Sequence, residues 1–166
     1  MGFFYLIMRY TRLTKEQFEA LHQEFALFLV AQSIDATQWN KLKQEDEGQV
    51  SLLLDQFSDL VWDESLSKVR YLEQWSPNQH LSIKKHKDHL TSIIVTVENP
   101  PYPIDEEKGW QWVLQNIQEN KVEIHRGRKD LGTDPKRILF ALIKAGAVIT
   151  KGENYKRLAK LFKTQE

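Results

Sequence analysis

The sequence predicts an α+β fold, predominantly helical, with one small antiparallel sheet and a C-terminal αα-hairpin. Apolar residues recur at three- and four-residue spacing over most of 15–72, and again over 105–120 and 135–163. Between these stretches the period drops to two, in Leu81-Ser82-Ile83 and in the β-branched run 91–97. No repeat of fixed period appears.

Thr14 and Gln17 form a capping box, and Phe18, Leu21, Phe25, Phe28 and Leu29 share one face, so 15–32 reads as an amphipathic helix. Ser33 and Asp35 are turn or cap residues, and a short helix over 37–43 turns Trp39 and Leu42 inward. Val50, Leu53, Leu54, Phe57 and Val61 mark the next helix. At about 100° per residue, Trp62, Leu66, Val69 and Leu72 point roughly 120° away from that stripe. The change of phase predicts two helices, or one kinked helix, joined near 59–63 and ended by Ser76-Pro77-Asn78.

A hairpin is expected at 80–86 and 89–98, turning at Lys87-Asp88. The prolines of 99–103 make an extended connector. Asp105 is expected to cap a helix running to about 120, with Trp110, Val113, Leu114 and Ile117 on one face. Residues 122–125 are a short strand that can extend the hairpin to a third strand over 121–126, and 126–133 read as a basic loop. Asp134-Pro135 is a helix start with Pro at the first helical position, and Gly146 suits the residue after its end. A second capping box, Thr150 with Glu153, opens the last helix, lined by Tyr155, Leu158, Leu161 and Phe162.

At 166 residues the chain has the size of one domain, 1–166, in which 1–8 is an apolar lead and 134–166 a basic helix pair. Without Cys it has no disulfide, thiolate metal site or Cys nucleophile, which fits a reducing cytoplasm. The opening octet is too short to span a bilayer and lacks the flanks of a signal peptide. It reads as an edge strand or an apolar lead, with Met8 as an alternative start. No membrane partner is expected.

Charge is segregated. Residues 1–120 carry 11 Lys and Arg against 18 Asp and Glu; residues 121–166 carry 12 against 5. An acidic body and a basic final third set fields of opposite sign, which points to a protein partner or to self-association as a homodimer. The alternative is nucleic acid, held by Arg126, Arg128, Lys129, Lys151, Asn154, Lys156, Arg157, Lys160 and Lys163. In a helix-turn-helix the cations would meet phosphates and Asn154 a base edge. The acidic body opposes that reading, as does Leu142 at the offset where such turns place a small residue.

Asp55, Asp59 and Asp63 repeat every fourth residue. With a partner helix they could hold a hard cation and support a metal-dependent hydrolase. Alone they read as a solvated face. His80, His86 and His89 cluster on the hairpin. Two facing imidazoles can bind zinc, but Lys84, Lys85 and Lys87 oppose a cation, so all three read as surface histidines. His22 reads as boundary packing, and His125 lacks a sequence-adjacent acid. Trp110 and Trp112 lie on different helix faces, which makes Trp112 an interface candidate. No P-loop, dinucleotide fingerprint, nucleophile elbow or zinc-protease motif occurs, and no catalytic residue or cofactor is assigned.

Several blocks carry a family resemblance: Arg9-Tyr10-Thr11-Arg12-Leu13-Thr14-Lys15-Glu16-Gln17-Phe18, Phe57-Ser58-Asp59-Leu60-Val61-Trp62, Leu66-Ser67-Lys68-Val69-Arg70-Tyr71-Leu72-Glu73, and Gly146-Ala147-Val148-Ile149-Thr150-Lys151-Gly152-Glu153. Together they resemble an uncharacterised family of small bacterial proteins of the Bacteroidota type, a domain of unknown function. The resemblance covers Met8 to the C-terminus. It implies a bacterial, cytoplasmic setting and brings no site residues with it.

Overall fold

A computed structural model describes residues 8–162. All of the apolar octet but Met8 lies outside the described residues, as does Lys163. The fold is α+β, and the chain forms two compact units, one ending at Ser67 and the other beginning at Lys68.

The first unit is helical: α1 Lys15–Ala20, α2 His22–Ala31, α3 Ala36–Glu45 and α4 Glu47–Ser67. Capping boxes at Thr14/Gln17 and Asp35/Gln38 satisfy backbone donors that the first turns of α1 and α3 leave open. The helix expected over 15–32 is divided at Leu21, whose φ of −107° and ψ of 24° leave the helical region. The core is aromatic. The Phe25 ring lies 5.0 Å from Phe57 and 5.3 Å from Trp39, both edge-to-face, and Phe28 lies 5.5 Å from Phe57.

Of the two helices or one kinked helix expected to join near 59–63, the structure has a single helix, α4, from Glu47 to Ser67. Both of its stripes find cover. Leu53 and Phe57 enter the core, while the segment before α1 lies along α4, with Tyr10 6.5 Å from Trp62. The second expected helix is likewise corrected. The chain leaves the helix after Ser67, and Tyr71–Ser76 is strand β1. Pro77-Asn78 closes a tight turn to β2 and places Ser76 opposite Gln79.

The second unit is built on a five-stranded antiparallel sheet in the order β4-β3-β2-β1-β5. Besides β1 its strands are β2 Gln79–Lys85, β3 His89–Val97, β4 Val122–Asp130 and β5 Val148–Thr150. The expected hairpin is present. His86 N–H donates to His89 C=O at 2.8 Å across Lys87-Asp88. The third strand runs further than expected. Residues 126–130 are strand rather than loop, because β4 pairs with β3 from Val97↔Val122 to His89↔Asp130. As an edge strand it carries its charges on exposed positions.

Helix α5 spans Glu107–Gln115, shorter than expected, and begins after Glu106 rather than Asp105. Helix α6 is Pro135–Lys144 and α7 is Glu153–Phe162. The end of α6 is a Schellman motif. Gly146, at φ 114°, donates to Ile143 C=O, and Ala147 N–H donates to Leu142 C=O. Both C-terminal helices are present, but the residues between them are not a hairpin turn. They form β5, which pairs with β1, so no helix-turn-helix exists. The proposed Thr150/Glu153 box is replaced by a local turn in which Gly152 N–H donates to Thr150 Oγ1 at 3.1 Å.

Residues paired across antiparallel strands share a face. One face therefore carries three successive rows: Trp75, His80, Val95, Ile124; then Glu73, Ser82, Ile93, Arg126; then Tyr71, Lys84, Thr91, Arg128. Helices α5 and α7 cover most of it. Val113 and Leu158 are fully buried there with Val95 and Val97, and Trp110, Trp112 and Tyr155 pack around them. Leu72, Ile83 and Leu90 are buried on the opposite face.

Candidate functional site

The row of Trp75 and His80 carries a polar cluster inside the second unit. His80 has no exposed surface, so the expectation of a surface histidine is overturned. Its ring centroid lies 3.9 Å from Trp75 and 4.6 Å from Trp110. His80 Nε2 stands 3.6 Å from Glu73 Oε1, an ion-pair distance longer than a hydrogen bond. Burial raises the Glu73 pKa. The His80 imidazole and hydrogen bonds from the Asn154 amide and the Trp75 indole reverse that effect and hold the carboxyl below its ordinary value. Asn154 also accepts from Trp110 Nε1 at 3.3 Å. It is therefore committed to the interior and not presented to a base edge.

The other hairpin histidines sit at the next corner of the same face. His86 and His89 face each other as expected, with rings 4.3 Å apart and 3° from parallel. His86 Nε2 lies 2.8 Å from Thr91 Oγ1, which lies 2.7 Å from Tyr155 OH. His89 Nδ1 lies 2.7 Å from Asp88 Oδ1. Partial burial first, then His89, Lys84 and Arg128, push the His86 pKa down, against the pull of Asp88. Lys84, His86, Thr91, Arg126, Tyr155 and Ala159 line a cleft of about 370 Å³ here. Sequence patterning missed it because Tyr155 and Arg126 belong to distant elements.

A second concavity, about 490 Å³, follows α6. Leu131, Ile138, Ala141 and Leu142 provide its apolar surface, and the exposed Lys129 and Arg137 line it as well. Trp112, the expected interface residue, is half-buried and packs against the α5–α7 core. Lys151, Lys156, Arg157 and Lys160 are exposed on or beside α7. His125 is exposed, 3.7 Å from Glu123. His22 is also exposed, with Nδ1 3.0 Å from Glu19 C=O.

In the first unit the aspartates of α4 hold the chain entering it. Asp59 accepts the backbone N–H of Arg9 at 2.7 Å and of Tyr10 at 2.9 Å. Asp55 pairs with Arg12 Nε at 2.7 Å, and Asp63 accepts from Tyr10 OH at 3.2 Å. Among the described residues, no group of three or more His, Asp or Glu side chains is placed to hold a metal ion. No described helix is long and apolar enough to cross a membrane.

No curated protein and no solved structure matches the chain at a significant level. The blocks that resemble one another across a family do find their counterpart: residues 8–163 match the model of a family of unknown function, DUF6495, and the chain belongs to that family.

Proposed function

We propose that the chain is a non-enzymatic protein-interaction module whose α6 groove docks an acidic, apolar-anchored peptide segment of a partner. One observation carries this reading: Leu131, Ile138, Ala141 and Leu142 line a concavity whose charged lining is Lys129 and Arg137 against the single acid Asp134, a net positive flank. Buried apolar anchors supply most of the affinity of such a contact, and complementary charge supplies encounter rate and selection. The groove belongs to the segment 121–166, in which 12 Lys and Arg stand against 5 Asp and Glu. A bacterial cytoplasmic setting belongs to this reading. It is supported by the absence of Cys and by the Bacteroidota-type resemblance of the sequence blocks.

The test is fluorescence anisotropy with a labelled peptide of about 12 residues that spaces Leu anchors for one helix face between glutamates. Saturable binding that weakens with salt, and at least a tenfold loss in Ile138→Asp and Arg137→Glu, is expected. Absence of binding, or binding indifferent to both substitutions, overturns the reading. So does a concentration-dependent dimer abolished by Arg137→Glu, which would make a second copy the occupant.

A further inference from the structure

We infer that the cleft between α7 and the β4 edge is a binding site for the phosphoryl group of a small organic phosphomonoester. The inference stands apart from the peptide groove, since the two share no residue.

Four kinds of group converge on the cleft, and each recognises an oxyanion. Lys84 brings an ammonium and Arg126 a guanidinium, from neighbouring rows of one sheet face. Tyr155 and Thr91 bring hydroxyls 2.7 Å apart. His86 closes the chain at 2.8 Å from Thr91. With a proton on His86 Nε2, the chain can run in one direction. The imidazole donates to Thr91 Oγ1, Thr91 donates to Tyr155 OH, and the Tyr155 proton is left to point into the cleft. An anion there selects that polarity over the reverse one, so the relay is a donor matched to negative charge.

The chemistry of the lining narrows the class. Its two permanent charges, Lys84 and Arg126, are both positive, and no Asp or Glu lines it, so a metal cation has no ligand set here. A tetrahedral dianion can use more of these donors than a planar carboxylate can. The volume of about 370 Å³ exceeds what a free inorganic ion fills and falls in the range of small-ligand pockets, about 300–1,000 Å³. Ile93 and Ala159 supply an apolar wall for the rest of the molecule.

Lys84 and Arg128 face His86 with positive charge, His89 stacks on its ring, Asp88 faces it with negative charge, and Thr91 is its neutral partner. A bound phosphoryl dianion therefore favours the protonated imidazole. Binding is expected to take up a proton and to raise the His86 pKa.

The experiment is a two-dimensional NMR titration of the intact chain in phosphate-free buffer, with ribose 5-phosphate, inorganic phosphate and ribose as probes. Ribose 5-phosphate is expected to shift the Lys84, His86, Thr91 and Tyr155 signals saturably, inorganic phosphate to shift the same set more weakly, and ribose to shift none. Lys84→Gln and Arg126→Gln should each weaken ribose 5-phosphate binding roughly tenfold. Tyr155→Phe, which keeps the ring and its packing, should weaken it several-fold with an unchanged tryptophan spectrum. The His86 ring should titrate at higher pH in the saturated protein. Absence of a saturable shift at about 10 mM ribose 5-phosphate overturns the assignment. So do equal shifts from ribose, or affinity unchanged in Lys84→Gln and Tyr155→Phe together.

Discussion

The Glu73 carboxylate, 7% exposed, is the ionic neighbour of a histidine that has no exposed surface at all, with 3.6 Å between Oε1 and Nε2. His80 and Glu73 come from adjacent strands of one hairpin, one row apart on the same face. His80 is sealed from solvent and Glu73 nearly so, which leaves the carboxylate dependent on His80, Asn154 and the Trp75 indole around it.

That dependence fixes a pH response. Glu73 has a folded-state pKa below its unfolded value of about 4.3. A depressed carboxyl contributes stability that is present above the unfolded pKa and lost as pH falls through the folded one. Urea midpoints measured between pH 7 and pH 3 should fall on the acid side, and Glu73→Gln should flatten that limb. His80→Ala removes the ring packed between Trp75 and Trp110 and opens a cavity beside Glu73, and should cost about 2–5 kcal/mol. Equal acid limbs in wild type and Glu73→Gln would contradict the assignment.

Two aspartates of α4 should behave differently although they lie one turn apart. Asp59 accepts two backbone N–H groups, and Asp59→Ala removes both charge-assisted bonds and leaves the part-buried Tyr10 N–H without its acceptor, at a cost of about 1–3 kcal/mol. Asp55 holds a partly exposed ion pair with Arg12, and Asp55→Ala should cost about 0–1 kcal/mol. Chemical denaturation of the two variants checks the order. Magnesium at millimolar concentration should leave both midpoints unmoved if the stripe serves to hold the chain.

The imidazole pair predicts a titration. His86 should protonate below the ordinary histidine value of about 6.5, because burial and then His89 and Lys84 oppose its charge. His89→Asn removes the stacked ring that opposes protonation of His86 and should raise the His86 pKa. Lys84→Gln should do the same. Ring-proton NMR between pH 4 and 8 reads both, and a fall in either variant would reverse the sign argued from the geometry.

Gly109→Ala tests the close approach of α5 to its own connector. An added Cβ would overlap the Pro103 carbonyl and come within 2.9 Å of Ile104 Cα, which are backbone atoms that cannot step aside. A loss at the upper end of the about 1–3 kcal/mol typical of overpacking is expected, measured as a lowered denaturation midpoint.

Local signals in the sequence are recovered where one turn suffices to define them. Thr14/Gln17, Lys87-Asp88, Asp134-Pro135 and Gly146 each act within a few residues, and each is found in its role. The failures are of longer range. Leu66, Val69 and Leu72 keep a helical spacing, yet Tyr71–Ser76 is drawn into the sheet by pairing on both sides with β2 and β5. Residues 126–130 look like a charged loop because an edge strand can leave its charges in water. The buried state of His80 was not legible for a related reason. Alternation sets His80, Ser82 and Lys84 against Leu81 and Ile83, which suggests a wet face, while α5 and α7 arrive from remote sequence to cover it. Trp75, which pairs with His80 across the strands, gave no hint because 75 lies in a stretch whose spacing reads as helix.

The nine-residue outer strand β4 has a further consequence. Among the described residues no strand pairs with its outer side, and an open edge of that length is a template on which a stray polypeptide could polymerise into fibrils. Here an intruder would have to align against Arg126, Arg128 and Lys129 in close succession. Replacing those three by valine should raise the tendency to form amyloid-like deposits, read as thioflavin fluorescence growing with time relative to the wild type.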